Sequence, residues 1–431
     1  MSSLVPDGWN YSDFGNVAQS IKSGLSRRIS AQDIGIPVLI SGNIQSNRLD
    51  TSELKFWYLD DPQGADIKRY LLNDNDLLLC FINSVSQIGK VCIYKDIGRP
   101  AIYTTNLFRI AINSKNDTSF VYNLMINNIF QEEIQLITKP AVNQASFTKT
   151  DLELIKVLLP PLSEQQKIAA ILTSVDEVIE KTQAQIDKLK DLKSAMMQEL
   201  LTKGVGIKQG DKYEPHTEFK DSPVGKIPKS WEVAPIVTVL ERVIDYRGKS
   251  PPKSDTGIPL LTAKNIRKGY INEEPREYIP VNKYDDWMTR GIPSYGDVFI
   301  TTEAPLGNVA KVPKYRFAIG QRVLALCPKR AVIDTDYLLF VMQGEYFAKQ
   351  LELQSTGSTV AGIKQSTFKN ILLAIPSLEE QQIIAKCIES NVAKTTTLAK
   401  KLISLKNTKK ALMQDLLTGK VRVKVDNDSV V

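Results

Sequence analysis

One histidine, His216, stands among 431 residues. A single imidazole in a polar stretch builds neither a histidine-based catalytic triad nor a histidine metal cluster. Cysteine is nearly as scarce: Cys80, Cys92, Cys327 and Cys387 are scattered and form no C-x-x-C pair. That excludes a disulfide framework or a zinc knuckle and fits a reducing, cytoplasmic setting. Long apolar runs are missing too. The stretch from Leu77 to Ile82 is far shorter than the ~18 residues of a membrane helix, and MSSLVPDGWN has no basic region leading into an apolar one. Catalytic signatures fail one by one. RGKS (247–250) would need glycine at position 243 to be a phosphate loop, and Val243 is there. SPPK (250–253) shares only its prolines with the adenine-methyltransferase tetrad. No glycine-rich S-adenosylmethionine fingerprint is visible, and the E-x-K triplet Glu53-Leu54-Lys55 has no obvious partner aspartate. The reading is a chain with no catalytic residue, no metal ligand and no cofactor of its own.

What is present is a repeat. LPPLSEQQKIAAIL (159–172) returns as IPSLEEQQIIAKCI (375–388), and the register holds without a gap over 159–205 and 375–421, with about 18 of 47 positions identical. Ser163 with Gln166 reads as a capping box, Gly204 and Gly419 as C-terminal stops. Between them apolar residues recur at three- and four-residue steps: Ile168, Ile171, Leu172, Val175, Val178, Ile179, Ile186, Leu189, Leu192, Met196 and Leu200, then Ile384, Ile388, Leu398, Leu402, Leu405, Leu412 and Leu416. Each copy predicts a helix of ~40 residues and roughly 60 Å. A helix with one apolar stripe must bury it, and its own repeat is the natural antiparallel partner.

The flanks repeat more faintly at an offset of 222: Pro6-x-x-Trp9 with Pro228-x-x-Trp231, and GIPVLISGNI (35–44) with GIPLLTAKNI (257–266). Asp76-Leu-Leu-Leu and Asp297-Val-Phe-Ile read as buried strands, followed by QIGKVCIY (87–94) and PLGNVAKV (305–312). The Gly- and Pro-rich stretch 204–230 reads as a linker. The expected fold class is therefore α+β. Two mixed α/β globules are separated by two long helices forming an antiparallel coiled coil, as a pseudo-twofold internal duplication. The boundaries read from the sequence are 1–158 for the first globule, 159–205 for the central helix, 206–374 for the second globule, and 375–431 for the C-terminal helix and tail. Apolar content of 42% leaves enough material for such cores, and the net charge of +7 is carried by the second half. Twofold proteins read two half-sites one DNA turn (~34 Å) or more apart. Globules of different sequence predict half-sites that differ.

The duplicated PPLSEQQ-to-LLTKG segment, GIPLLTAKNI and LQSTGSTVAGIKQSTF (353–368) together resemble the specificity subunit of Type I restriction–modification enzymes. The resemblance spans nearly the whole chain and is most specific in the helical repeats. It implies two target-recognition domains reading an asymmetric bipartite DNA site, and long helices that set their spacing and dock two methyltransferase subunits. It also implies restriction/translocase subunits joining the complex. S-adenosylmethionine, ATP and Mg would then belong to the partner subunits. One departure is plain: ITKPAVNQASFTKTDL (137–152), the first-half counterpart of the S-T-G-S-T segment, matches it only at Ala145/Ala361. The alternative reading is a coiled-coil scaffold whose globules bind protein.

Phosphates call for Lys, Arg, hydroxyls and backbone N–H groups, and base edges for Arg, Lys, Asn and Gln. In the first globule that chemistry gathers at Arg27, Arg28, Asn43, Gln45 and Arg48. In the second it gathers at Arg247, Lys249, Lys253, Lys264, Asn265, Arg267, Lys268, Ser358, Thr359, Lys364 and Gln365. These are the candidate DNA contacts. The polar residues written at both helix starts, Glu164, Gln165, Gln166, Glu380, Gln381 and Gln382, are the candidate docking surface for identical partner subunits.

Overall fold

The protein is described here by a computed structural model covering residues 5–142, 144–210, 212–246, 250–356 and 361–425. The chain divides into two compact units, Met1–Gln183 with Lys400–Val431, and Ala184–Ala399. The division crosses both long helices, so each unit holds one globule and a segment of each helix.

The long helices are Leu162–Lys203 and Leu378–Leu416. The first opens one residue before Ser163, so Ser163 lies inside the first turn instead of capping it. The N–H groups of Glu164 and Gln165 go to the Pro161 carbonyl. Gly204 and Gly419 follow the helix ends with φ of 73° and 69°, the left-handed stop that glycine takes without strain. In the first unit Ile168, Ala169 and Leu172 share a core with Met413, Leu416 and Leu417, and Asp176 pairs with Lys409 further along. In the second unit Met197, Leu200 and Leu201 share a core with Ile384, Ala385 and Ile388. In both units low numbers of one helix face high numbers of the other, so the segments run antiparallel. Val178 and Leu192 leave the seam expected for them; at 41% and 49% exposure they lie on the outer face.

The globules repeat one topology. The first has a four-stranded antiparallel sheet in the order Ala18–Ser23, Leu107–Ile112, Leu77–Cys80, Val91–Ile93. The second has Leu240–Asp245, Val323–Pro328, Val298–Thr301, Val309–Lys311 in the same order. Each adds a three-stranded sheet with one parallel pair, Ile36–Leu39 beside Ile102–Tyr103 and Ile258–Leu261 beside Ala318–Ile319. A further strand pair closes each globule onto the helix start, Asn10–Asp13 with Lys156–Leu159 and Glu232–Pro235 with Leu372–Ile375. Runs such as Leu77–Cys80 and residues 298–300 are apolar throughout because both faces are covered. Stretch 204–230, expected as a linker, is folded: Ile207–Gln209 pairs with Lys212–Glu214 and Phe219–Ser222 with Gly225–Pro228. Val224 and Ile227 anchor the second hairpin in the core, which is why glycine- and proline-rich sequence forms turns here and not a loose tether.

One buried polar side chain in the helix is unpartnered. Asn391 lies at 5% exposure, and neither its amide nitrogen nor its oxygen has a hydrogen bond. The same repeat position in the first copy is Val175. Asn391→Val removes two desolvated polar atoms and keeps the volume, so it should raise stability by about 1–3 kcal/mol in chemical denaturation.

Candidate nucleic-acid interface

The helix starts are buried clasps. In the first unit the Glu164 carboxylate accepts the Trp9 indole N–H at 3.1 Å and two Arg422 N–H bonds at 2.7 and 2.8 Å. In the second unit the Glu380 carboxylate accepts the Trp231 indole at 2.9 Å and the backbone N–H groups of Val205 and Gly206 at 3.0 and 3.2 Å. His216 Nε2 lies 2.9 Å from it. The next residue does parallel work. Gln165 accepts the Asp117 N–H at 2.9 Å and donates to Asn116 Oδ1 and the Pro160 carbonyl. Gln381 accepts the Asp334 N–H at 2.8 Å and donates to the Val332 and Pro376 carbonyls. Asp117 and Asp334 in turn cap the globule helices Thr118–Ile126 and Thr335–Val341. Each Glu-Gln pair thus ties a long helix to its own globule, with every polar atom used.

This corrects the docking expectation for four residues. Glu164, Gln165, Glu380 and Gln381 are at most 5% exposed and are consumed internally, so they present nothing to a partner. Gln166 and Gln382 remain exposed. The reason is geometric. Positions i and i+1 point to different sides of a helix start, and both sides meet the globule there, whereas i+2 turns outward. Arg422, His216, Asp117 and Asp334 were not singled out from sequence as clasp residues. A signal for two of them exists: Asp117-Thr-Ser-Phe-Val-Tyr-Asn-Leu-Met parallels Asp334-Thr-Asp-Tyr-Leu-Leu-Phe-Val-Met at an offset of 217.

Two of the candidate DNA contacts are corrected by burial. Asn43 accepts the Ile40 N–H and donates to the Asp50 and Glu53 carbonyls. Asn265 accepts the Thr262 N–H and donates to the Asn272 and Pro275 carbonyls. Both brace matching loops and are buried, so neither reaches a base. Two arginines are internally engaged. Arg27 is held by Asp61 at 3.1 Å and shorter. The guanidinium keeps the Asp61 carboxyl well below its ordinary range. Arg48 reaches the first long helix at Glu180, 2.7 Å, and Asp176, 3.6 Å.

The remaining candidates are nearer the surface. Gln45 is exposed and donates to the Gly42 carbonyl. Lys253 and Lys264 share Glu277, at 2.9 and 3.9 Å. Arg28, Lys268 and Lys364 are exposed and Arg267 half-buried, and none forms an ion pair among the described residues. Gln365 opens the short helix Gln365–Phe368. Arg247, Lys249, Ser358 and Thr359 lie outside the described residues. Among the described candidates, those without an ion pair are thus Arg28 in the first unit and Arg267, Lys268 and Lys364 in the second. Among the described residues no cluster of His, Cys, Asp and Glu could hold a metal, and no helix is long and apolar enough to cross a membrane.

The described residues thus form two mixed α/β globules on duplicated antiparallel helix segments, with candidate cations on their loops. Comparison with known proteins gives the family. The model of the Type I restriction modification DNA specificity domain matches residues 6–191 and again 241–407. A chain described as the type I restriction enzyme MjaX specificity subunit of Methanocaldococcus jannaschii is 30% identical, with 97% of this chain and 95% of that one covered. The EcoKI specificity subunit of Escherichia coli is 18% identical over 92% and 85%. The fold is shared with the crystal structure of a Type I restriction–modification S subunit from M. genitalium. That match has a TM-score of 0.60 at 12% identity, covering 96% of this chain and 97% of that one. It is also shared with a chain from a study of complex assembly and conformational transition of the type I R-M system, TM-score 0.54 at 17% identity, covering 97% and 100%. The chain belongs to the family of Type I restriction–modification specificity subunits. It is a DNA target-recognition component that works in a complex with other subunits, and the chemistry is not its own.

Three outcomes follow from the clasps and loops. Glu380→Ala leaves four groups without their acceptor and should destabilise the protein by about 3–5 kcal/mol in denaturant unfolding. Arg27→Ala should lower the melting temperature by freeing the Asp61 loop, with little specific loss of DNA binding. Arg28→Ala should leave the melting temperature alone and reduce the log–log salt slope of duplex binding by about 1.

Proposed function

We propose that each globule reads one half of a bipartite duplex site and that the two halves differ in sequence. The observation that carries this is selective repetition. Topology, buried clasp and loop-bracing asparagine recur in both units, whereas the loop side chains do not: Arg48 answers to Tyr270 and Gln45 to Arg267. A duplicated frame bearing unlike loops suits two different readings made from one kind of scaffold. Two copies of a methyltransferase subunit would dock on the repeated frame, with Gln166 and Gln382 as the exposed repeated pair, and restriction/translocase subunits would join them. S-adenosylmethionine, ATP and Mg would be held by those partners. The complex would act on chromosomal and invading DNA in the cytoplasm. The candidate cations would grip phosphates, and the loops carrying them would face the base edges.

Footprinting of the assembled complex on a target duplex tests this. Two protected patches with an unprotected interval are expected; one uninterrupted patch contradicts it. A log–log salt slope near zero would favour instead the protein-binding scaffold.

A further inference from the structure

The repeat exposes one unbalanced charge. Lys193 and Lys409 occupy the same repeat position on the two long helices. In the first unit the Lys409 ammonium is neutralised by both oxygens of Asp176, at 2.7 and 2.8 Å, and Arg48 approaches the same carboxylate. In the second unit the position of Asp176 is Val392 and that of Arg48 is Tyr270. The lysine is kept and its carboxylate is gone. Lys193 instead donates to Gln343 Oε1 at 3.2 Å and lies 6.0 Å from the centre of the Phe340 ring. Both are neutral groups. Burial pushes the Lys193 ammonium below its ordinary pKa, the sign of a charge held without an anion.

The same lysine lines an open cleft of about 400 Å³ within the second unit. Lys268, exposed and without an ion pair, is on its wall, as are Ser194, Gly307 and Ser355. A Cβ on Gly269, next to Lys268, would stand 3.4 Å from the Gln343 amide that Lys193 donates to, so both cationic positions border one residue. Glu352 also faces the cleft but makes no ion pair with either lysine. Two ammonium groups, one of them partly desolvated, match an oxyanion better than any neutral ligand, because the hydrogen bonds formed would be charge-assisted.

We propose that Lys193 and Lys268 bind one backbone phosphate of the DNA, so that the long helix of the second unit itself contacts the duplex and its counterpart in the first does not. This rests on the DNA-reading function above. It adds to that function a contact outside the loops, and an asymmetry in how the two units hold the backbone.

The test uses the full chain, a fluorescent duplex of arbitrary sequence, and binding measured across a salt series. Lys193→Gln should weaken binding roughly threefold to tenfold at low salt and lower the log–log slope by about 1, for every sequence alike. Lys193→Arg should restore the slope. The melting temperature of Lys193→Gln should stay level or rise, since a desolvated charge is removed. If the unmodified chain binds duplex and Lys193→Gln binds with the same slope, the site is overturned while the DNA-reading function stands. If the unmodified chain binds no duplex, both fail. A lowered melting temperature would mark Lys193 as structural and overturn the site. So would loss of association with methyltransferase subunits at an unchanged slope, since the anion would then be a protein carboxylate. Protection of Lys193 from an amine reagent by inorganic phosphate as strong as that by duplex at equal phosphate concentration would also overturn it.

Discussion

A carboxylate buried at the start of each long helix is the constraint on which the rest depends. Glu164 and Glu380 could not be desolvated alone; the cost would exceed the stability of most domains. Each is tolerated because donors converge on it from two directions: an indole just ahead of the globule's strand pair, and the segment that follows the end of the other long helix. The neighbouring glutamine then holds the cap of a globule helix. An orientation that satisfies all of these donors at once is closely specified, since a small rotation strands several polar groups together. The clasp therefore turns a packed joint into an indexed one. For a protein that recognises a DNA target, the angle between globule and helix is the quantity that must not drift.

The two clasps are alike in plan but not in parts. Beside the shared indole, Arg422 completes the contacts in one unit, and His216 with two backbone N–H groups completes them in the other. The same pattern of shared plan and divergent detail runs through the loops. Asn43 and Asn265 do identical bracing, while the side chains around them differ. Duplication preserved what positions a surface and released what the surface displays.

Much of the architecture was legible in the residues. The register of the long repeat, the terminal glycines and the paired GIP strands predict two globules and two helices, because helix and strand periodicities are local properties. Individual site residues were less legible for a definite reason. Asn, Gln, Arg and Glu suit both DNA contact and internal bracing, and composition cannot tell which side of the loop they face. Asn43 and Asn265 were misread because a loop-bracing asparagine needs three backbone partners that only the folded loop supplies. The ion pairs of Arg48 were not legible because Asp176 and Glu180 lie far away in sequence. The twin glutamates invited a docking role since repetition at two helix starts suggests identical partners. The structure shows that repetition also arises when the same internal joint is built twice. The hairpins of 204–230 were missed because turn-rich composition reads as linker unless the buried Val224 and Ile227 are weighed.

The central claim is that each unit alone determines one half of the recognised site. The direct measurement is a map of methylated bases in cells carrying the complete system, with residues 206–374 exchanged for the matching segment of a relative. The account predicts that one half of the methylated motif changes and the other half stays as it was. A motif that changes in both halves, or in neither, contradicts it.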